Sequence, residues 1–418
     1  MFDRISMVGL GYIGLPTAAL FAAHGTKVIG VDVSEKVVET INAGKIHLVE
    51  PDLDGVVHKV VSEGSLHATL EPEAADAFII AVPTPFSDNY EPDLSYIASA
   101  ARMIAPVLER GNLVVLESTS PIGATEKMAD WLAEARPDLT FPQGAGNDAD
   151  IQIAHCPERV LPGHVLSELI ENDRIIGGMT ERASEMAVAM YKKVVRGDCV
   201  ITDARTAEMC KLTENSSRDV QIAFANELST ICDRFDIDVW ELISLANRHP
   251  RVNILQPGAG VGGHCIAVDP WFIVSSAPEE ARLIRTAREV NDAKPDWVLQ
   301  KGKDAILDVL ANDPSRSMAD IKLACLGLAF KPDIDDLRES PALRITREFG
   351  TLGCQVLAVE PNIDALPESL ADSAITLASL EEAVGSADVV CVLVRHSAFS
   401  GLQEKLSSSA TLIDVVGL

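Results

Sequence analysis

A chain of 418 residues with 47% hydrophobic content is long enough for two or three domains, each with its own core. Its 62 acidic against 35 basic residues give a formal charge of −27, which excludes nucleic acid and anionic membrane as partners, since both demand a net basic footprint. No apolar run approaches the roughly 20 residues that span a bilayer, Met1-Phe2-Asp3-Arg4 lacks the basic start of a secretory signal, and the eight cysteines are scattered without metal-like spacing. A reduced, cytoplasmic protein without a metal site is expected.

Residues 5–32 read as strand, turn, helix, strand. Ile5-Ser6-Met7-Val8 precedes Gly9-Leu10-Gly11-Tyr12-Ile13-Gly14, an alanine-rich helix runs to His24-Gly25, and Val28-Ile29-Gly30-Val31 ends on Asp32. A G-x-G-x-x-G set between strand and helix, with an acid at the tip of the second strand, predicts a dinucleotide site. Gly9 makes the turn, Gly11 lets a pyrophosphate approach the helix N-terminus, and Gly14 permits tight helix–strand packing, with Tyr12 and Ile13 carried on the same turn. Asp32 is placed to accept hydrogen bonds from ribose hydroxyls and repels a 2′-phosphate, which favours NAD over NADP.

Further strands are expected over 77–82 and 113–117, each ending in a polar or proline-rich turn, Pro83-Thr84-Pro85 and Ser118-Thr119-Ser120-Pro121. Such turns lie where a doubly wound sheet presents ligand contacts, so Pro83, Thr84 and Thr119 are candidates for the nicotinamide half of the cofactor. A shorter strand over 151–154 leads into Cys156-Pro157-Glu158-Arg159-Val160. From 203 to 235 the pattern is helical without Gly or Pro, a length of roughly 50 Å, and it sets Lys211 and Asn215 four residues apart on one face. A helix of that length between two lobes is also a natural subunit contact, so a homodimer is expected.

Glycines at 258, 260, 262 and 263 precede Cys265 and Asp269. Backbone of this kind leaves N–H groups uncovered and permits positive φ, which suits an anionic ligand, and a cysteine on it is a nucleophile candidate. A tight turn around a buried cysteine is the plain alternative, and the residues leave the choice open. A second helical region over 279–310 leads to strands over 322–328, 356–361, 387–394 and 412–416. They make a second Rossmann-like lobe without a complete glycine fingerprint. Its first turn carries Lys331 and Arg338, which read as an anion site for a nucleotide diphosphate or as surface charge. The expected fold is α/β, two Rossmann-like doubly wound domains (1–200 and 312–418) joined by a central helical region with a long helix (201–311).

The segments G-L-G-Y-I-G-L-P (9–16), S-T-S-P-I-G (118–123), P-E-R (157–159), K-L-T-E-N (211–215), G-V-G-G-H-C-x-x-x-D (260–269) and F-K-P-D-I-D-D-L-R-E-S-P (330–341) together resemble the UDP-glucose/GDP-mannose dehydrogenase family, from residue 5 to 416. The resemblance implies NAD-dependent, four-electron oxidation of the C6 alcohol of a UDP-sugar to a carboxylate, through a thiohemiacetal and a thioester on Cys265. It implies catalytic roles for Cys265, Lys211, Asn215, Asp269, Glu158 and Thr119, with proton transfer undivided among Glu158, Asp269 and Thr119. It adds Arg338 to the cofactor contacts and assigns the UDP-sugar to Glu158, Arg159, Val160, Lys211, Asn215, Arg251, Gly262 and Lys331, Arg251 reaching across from a second subunit. Family members acting on UDP-glucose or GDP-mannose usually carry Cys-Leu-Pro-Lys-Asp where this chain has Cys265-Ile266-Ala267-Val268-Asp269. With the 47–53 and 247–255 segments, that departure points to UDP-N-acetyl-D-mannosamine as substrate, UDP-GlcNAc or UDP-glucose being the alternatives. A two-electron sugar dehydrogenase would share the fingerprint without needing Cys265, and an NAD-binding scaffold would need only the first lobe.

Overall fold

The computed structural model describes every residue except Met1, Val49, Asp88, Asn89, Leu161, Pro162, His264 and 371–373. Three of the sequence readings touch that set, at Val49, at Leu161 and Pro162, and at His264, and those residues lie outside the description. The chain divides into two units, Met1–Glu214 with Ser275–Pro278, and Asn215–Val274 with Glu279–Leu418.

In the first unit, runs such as Ala77–Ile80 and Leu113–Leu116 are apolar at every position and buried at every position. Strands of that kind need cover on both faces, which is the condition of a parallel sheet flanked by helices. The strands are β1 Arg4–Val8, β2 Lys27–Val31, β3 Leu66–Thr69, β4 Ala77–Ile80, β5 Leu113–Leu116, β6 Gln152–His155, β7 Arg174–Gly178 and β8 Cys199–Asp203. They form one sheet in the order β3-β2-β1-β4-β5-β6-β7-β8. β1 lies between β2 and β4 with Val8 level with both Val31 and Ile80, so the strand order reverses at its carboxyl end, where an open α/β sheet binds ligands.

β3, β7 and β8 were not expected from the sequence. β3 has only four residues, and β7 ends in Gly177-Gly178, a residue type depleted in strands. A Cβ on Gly177 would lie 2.5 Å from that of Ala207, so the glycine serves close passage of the helix beginning at Ala204. β7 runs antiparallel to β6, pairing Ala154 with Gly178, and β8 is an edge strand with Val200 and Ile201 exposed.

The expected long helix is Ala204–Arg234, of 31 residues. Buried Glu208 accepts hydrogen bonds from the N–H of Gly123 (2.6 Å), the N–H of Thr125 (2.8 Å) and the Thr125 hydroxyl (2.6 Å). It supplies both partners and negative charge to the N-terminus of helix Ala124–Ala135.

In the second unit the rest of that helix packs against Arg282–Asn312 through a buried polar seam. Arg288 Nη1 donates to Asp219 (2.6 Å), Asn291 donates to Asp219 (2.8 Å) and accepts from Asn226 (2.9 Å), and Gly258 N–H donates to Asn226 (2.9 Å). The five-stranded sheet, β9 Lys322–Leu326, β10 Gln355–Val359, β11 Ile375–Leu377, β12 Val389–Val392 and β13 Thr411–Asp414, has the order β11-β10-β9-β12-β13 and is parallel throughout.

The two sheets share the hydrogen bond of their first turn and differ in the residues around it. Gly327 N–H donates to Val359 O as Gly9 N–H donates to Val31 O. Ala329 then stands where the first lobe has Gly11. The N–H groups of Leu328 (2.8 Å) and Ala329 (3.0 Å) are taken by the buried carboxylate of Glu360, which His396 Nε2 also meets at 3.0 Å. These contacts outweigh burial and hold Glu360 down at about 2. A pyrophosphate therefore finds neither free amides nor room at this turn.

Helix Arg282–Asn312 meets helix Pro341–Gly350 at Gly302, where an added Cβ would fall on the Phe349 ring. Gly302→Ala is expected to lower unfolding stability by about 1–3 kcal/mol through overpacking, measured by denaturant titration of the whole chain.

Candidate active site

At the carboxyl end of β1 the glycine turn is built by contact. Gly9 has φ +92°, and a Cβ on Gly14 would fall inside the carbonyl oxygen of Gly9, so neither position admits a side chain. Gly11 has nothing within 4 Å of where its Cβ would stand. That opening faces the start of helix Gly14–Ala23 and fits a pyrophosphate on helix N–H groups. Asp32 is fixed beside it, accepting from Leu10 N–H (3.0 Å) and Ser34 N–H (2.9 Å). Half-buried Tyr12 and Ile13 complete the turn, and the Tyr12 hydroxyl lies 3.5 Å from Glu50. Glu50, from the 47–53 segment, is a buried tie that also accepts from Gly163 N–H (3.0 Å) and Val165 N–H (2.8 Å).

The turns after β4 and β5 come together on the same edge. Val82 N–H donates to Ser118 Oγ (2.9 Å) and the Thr84 hydroxyl to the Thr119 carbonyl, while Pro83 is exposed. The sequence readings at Pro83, Thr84 and Thr119 thus fall on one joined loop pair.

Beyond β6, Glu158 is buried, and its partners were not found in the sequence. Its Oε2 pairs with Arg174 Nη2 at 2.8 Å and its Oε1 accepts from Arg159 N–H at 2.5 Å. Arg174 Nη1 reaches Glu117 Oε1 at 3.2 Å, and the Tyr191 hydroxyl donates to the same oxygen at 3.2 Å. Burial pushes Glu117 up to about 7, with Arg174 opposing and Glu158 reinforcing the rise. Glu117 ends the β5 run and Arg174 opens β7, so a charge set inside an apolar run was the available signal. Arg159 is forked onto Glu214, at 3.1 and 2.7 Å, and Val160 packs partly against the core. The ammonium of half-buried Lys211 has no ion-pair partner among the described residues.

In the second unit Cys265 is exposed, so the reading of the glycine stretch as a turn around a buried thiol is corrected. Its carbonyl accepts from Val268 N–H (3.1 Å) and Asp269 N–H (2.9 Å), which makes 265–269 one helical turn leading into helix Asp269–Ser276. Asp269 is buried and accepts from Asn215 Nδ2 at 2.5 Å. Among the four glycines only Gly260 and Gly263 have positive φ. Gly262 is required by contact instead: a Cβ there would meet Glu339 O at 2.5 Å and Phe330 Cβ at 2.8 Å. Gly263 N–H also donates to Arg338 O at 3.3 Å, so the Cys265 loop rests on the 330–341 turn. On that turn Lys331 is exposed and Arg338 is forked onto Asp336, and Arg251 is exposed on its own loop.

Three models of one family match in chain order: UDP-glucose/GDP-mannose dehydrogenase family NAD binding domain over 3–195, central domain over 205–293 and UDP binding domain over 324–418. The chain belongs to the UDP-glucose/GDP-mannose dehydrogenase family. It is similar to UDP-N-acetyl-D-mannosamine dehydrogenase of Yersinia pestis, 61% identical over 418 residues, covering 100% of this chain and 99% of that one. It is equally similar to NDP-N-acetyl-D-galactosaminuronic acid dehydrogenase of Ralstonia nicotianae, 61% identical over 422 residues, covering 100% and 96%. The solved UDP-D-ManNAc dehydrogenase of Pyrococcus horikoshii superposes with TM-score 0.86 at 39% identity, covering 99% and 95%. As a member of this family the chain is an NAD-dependent nucleotide-sugar dehydrogenase whose substrate is a UDP-sugar. Among the described residues no helix is long and apolar enough to cross a membrane, and no cluster of His, Cys, Asp and Glu could hold a metal ion.

Two outcomes follow from these charges. Asp32 opposes a 2′-phosphate, so kcat/KM for NAD is expected to exceed that for NADP at least tenfold, about 1.4 kcal/mol; steady-state kinetics with both cofactors checks it. Glu117 keeps its proton in the fold up to about 7, whereas the unfolded glutamate releases it near 4.5. Between those values the folded state binds more protons, so rising pH disfavours it, by up to about 1.4 kcal/mol per pH unit. Glu117→Gln removes this proton, and the loss of stability between pH 5 and pH 8 in urea titrations is expected to shrink.

Proposed function

We propose that this enzyme oxidises the C6 alcohol of UDP-N-acetyl-D-mannosamine to the carboxylate, giving UDP-N-acetyl-D-mannosaminuronate, with Cys265 as covalent nucleophile. The observation that carries the chemistry is an exposed thiol one helical turn ahead of a buried carboxylate, Asp269, to which Asn215 is hydrogen-bonded. The sugar is supported by the names of the Yersinia and Pyrococcus relatives and by Ile266-Ala267-Val268 in place of a lysine-bearing loop. The Ralstonia relative's name supports a second reading, the same chemistry on another N-acetylated sugar nucleotide. UDP-GlcNAc and UDP-glucose are the further alternatives.

Gly9, Gly11, Tyr12, Ile13, Gly14 and Asp32, with Pro83, Thr84 and Thr119, hold NAD, which when bound accepts a hydride from the substrate carbon in each of two oxidations. Cys265 adds to the aldehyde carbon between them, because a trigonal aldehyde offers no hydride until it becomes tetrahedral. Lys211 and the second amide hydrogen of Asn215 are assigned to stabilising the developing oxyanion, a contribution of ~3 kcal/mol per donor. Asp269 steers Asn215 and exchanges the proton of the attacking thiol. Glu158, with Thr119, takes a proton from water, whose oxygen bonds to the thioester carbon as the Cys265 sulfur leaves. The sum is one alcohol, one water and two NAD converted to one carboxylate, two NADH and three protons.

Arg159, Val160, Arg251, Gly262 and Lys331 are assigned to the UDP-sugar, Arg251 from a second subunit, and Arg338 to the cofactor side. The three-part division at 200 and 311 accompanies these roles. A homodimer is supported by the exposed apolar residues Phe224, Ile231, Phe235, Ile237 and Leu245 on the second unit. The enzyme is proposed to act in the cytoplasm.

Wild-type enzyme is expected to give two NADH per UDP-N-acetyl-D-mannosamine, and less turnover with UDP-GlcNAc, UDP-GalNAc and UDP-glucose. Cys265→Ala is expected to bind NAD normally and to lose uronate formation by roughly 10³-fold or more. Two NADH and uronate from Cys265→Ala at near wild-type rate would overturn the covalent reading, and preference for another sugar in the panel would reassign the substrate.

A further inference from the structure

The first unit buries two carboxylates, one guanidinium and a phenol where an ion pair would require only one of the carboxylates. Glu117 and Glu158 both reach Arg174, through Nη1 at 3.2 Å and Nη2 at 2.8 Å, and all three residues are less than 8% exposed. Placing a second carboxylate on one buried guanidinium costs desolvation that a packing role alone would not repay. The arrangement is also directional. Arg174 lies over the Tyr191 ring, 5.0 Å from its centroid, and the Tyr191 hydroxyl holds Glu117 Oε1, so the guanidinium is fixed through Nη1 while Nη2 meets Glu158. Glu158 stands on a turn outside β6, and its two oxygens are taken separately, Oε1 by Arg159 N–H and Oε2 by Arg174.

We infer that Arg174, held by Glu117 and Tyr191, is the positioning residue for Glu158, keeping its carboxylate aimed for proton transfer in thioester hydrolysis. This rests on the reading of Glu158 as the base of that step. The groups facing Arg174 are Glu117 from β5, Cys156 and Glu158 from the turn after β6, Tyr191 from helix Glu181–Tyr191 and, more weakly, Cys199 from β8. Burial pushes the Cys156 thiol up to about 12 and the Tyr191 phenol well above its ordinary value, so neither carries charge at working pH. Only Glu117 and Glu158 compete for the cation. In hydrolysis Glu158 accepts the water proton as the water oxygen bonds to the acyl carbon, the C–S bond breaks, and Cys265 leaves as thiolate. A Glu158 turned away from the water cannot take that proton, so its contact with Arg174 governs the hydrolytic rate.

Loss of the contact therefore shows in the hydrolytic step. With NAD and the sugar nucleotide that the enzyme turns over, Cys265 acylation is followed by intact mass and hydrolysis by NADH release. Arg174→Met is expected to turn the acyl adduct from a trace into the majority species, and Arg174→Lys, which restores the cation, to return it towards a trace. A merely structural cluster would lower thermal stability in both variants without accumulating adduct, and that result overturns the inference. If Arg174→Met does not fold, Tyr191→Phe decides, because it removes only the hydroxyl that holds Glu117 behind Arg174: accumulated adduct supports the inference, and adduct at the wild-type level overturns it. Glu158→Gln separates the two readings. If it traps no adduct, the base assignment fails and the positioning role with it; if it traps adduct while the Arg174 and Tyr191 variants do not, only the positioning role fails.

Discussion

The buried polar cluster of the first unit is organised by one cation. Arg174 enters β7 at the start of an otherwise apolar strand and is the sole guanidinium that reaches both Glu117 and Glu158 among the described residues. Without it two carboxylates would be buried with no cation between them. With it, each has a guanidinium nitrogen of its own, while burial still pushes Glu117 up to about 7. The antiparallel strand that delivers Arg174 is thus more than an extension of a nucleotide-binding sheet.

The second unit uses shape where the first uses charge. The Cys265 loop is held against the 330–341 turn by glycines whose absent side chains let Phe330, Glu339 and Pro341 approach the backbone. Flexibility is therefore a poor description of this glycine-rich loop: Gly262 is spent on contact and Gly263 on both contact and positive φ. The result is an exposed thiol on a supported backbone, with buried Asp269, held by half-buried Asn215, one turn along. Precise placement of a nucleophile needs such support more than it needs mobility.

Comparison of the two lobes shows how a small change separates binding roles on one architecture. Both have a glycine turn after the first strand and an acid after the second, but Ala329 replaces the open glycine, and Glu360 with His396 consumes the amides that a pyrophosphate would need. One methyl group and one longer carboxylate suffice to close the dinucleotide cradle.

Local pattern in the sequence determined the two Rossmann-like lobes, the helix from 204 to 234 and the glycine fingerprint with Asp32. Each depends on periodicity or on residues close in the chain, where side-chain chemistry and backbone sterics act directly. The short strand β3, the glycine-ended β7 and the exposed edge β8 were hidden because their hydrogen bonds come from distant partners and not from their own composition. The same reason kept Glu117, Arg174 and Tyr191 out of view: residues 117, 158, 174 and 191 become one electrostatic group only when the sheet closes. Tertiary packing alone decided that Cys265 is exposed, that Gly262 is a contact residue, and that Arg159 meets Glu214, because burial and long-range pairing are properties of the folded chain.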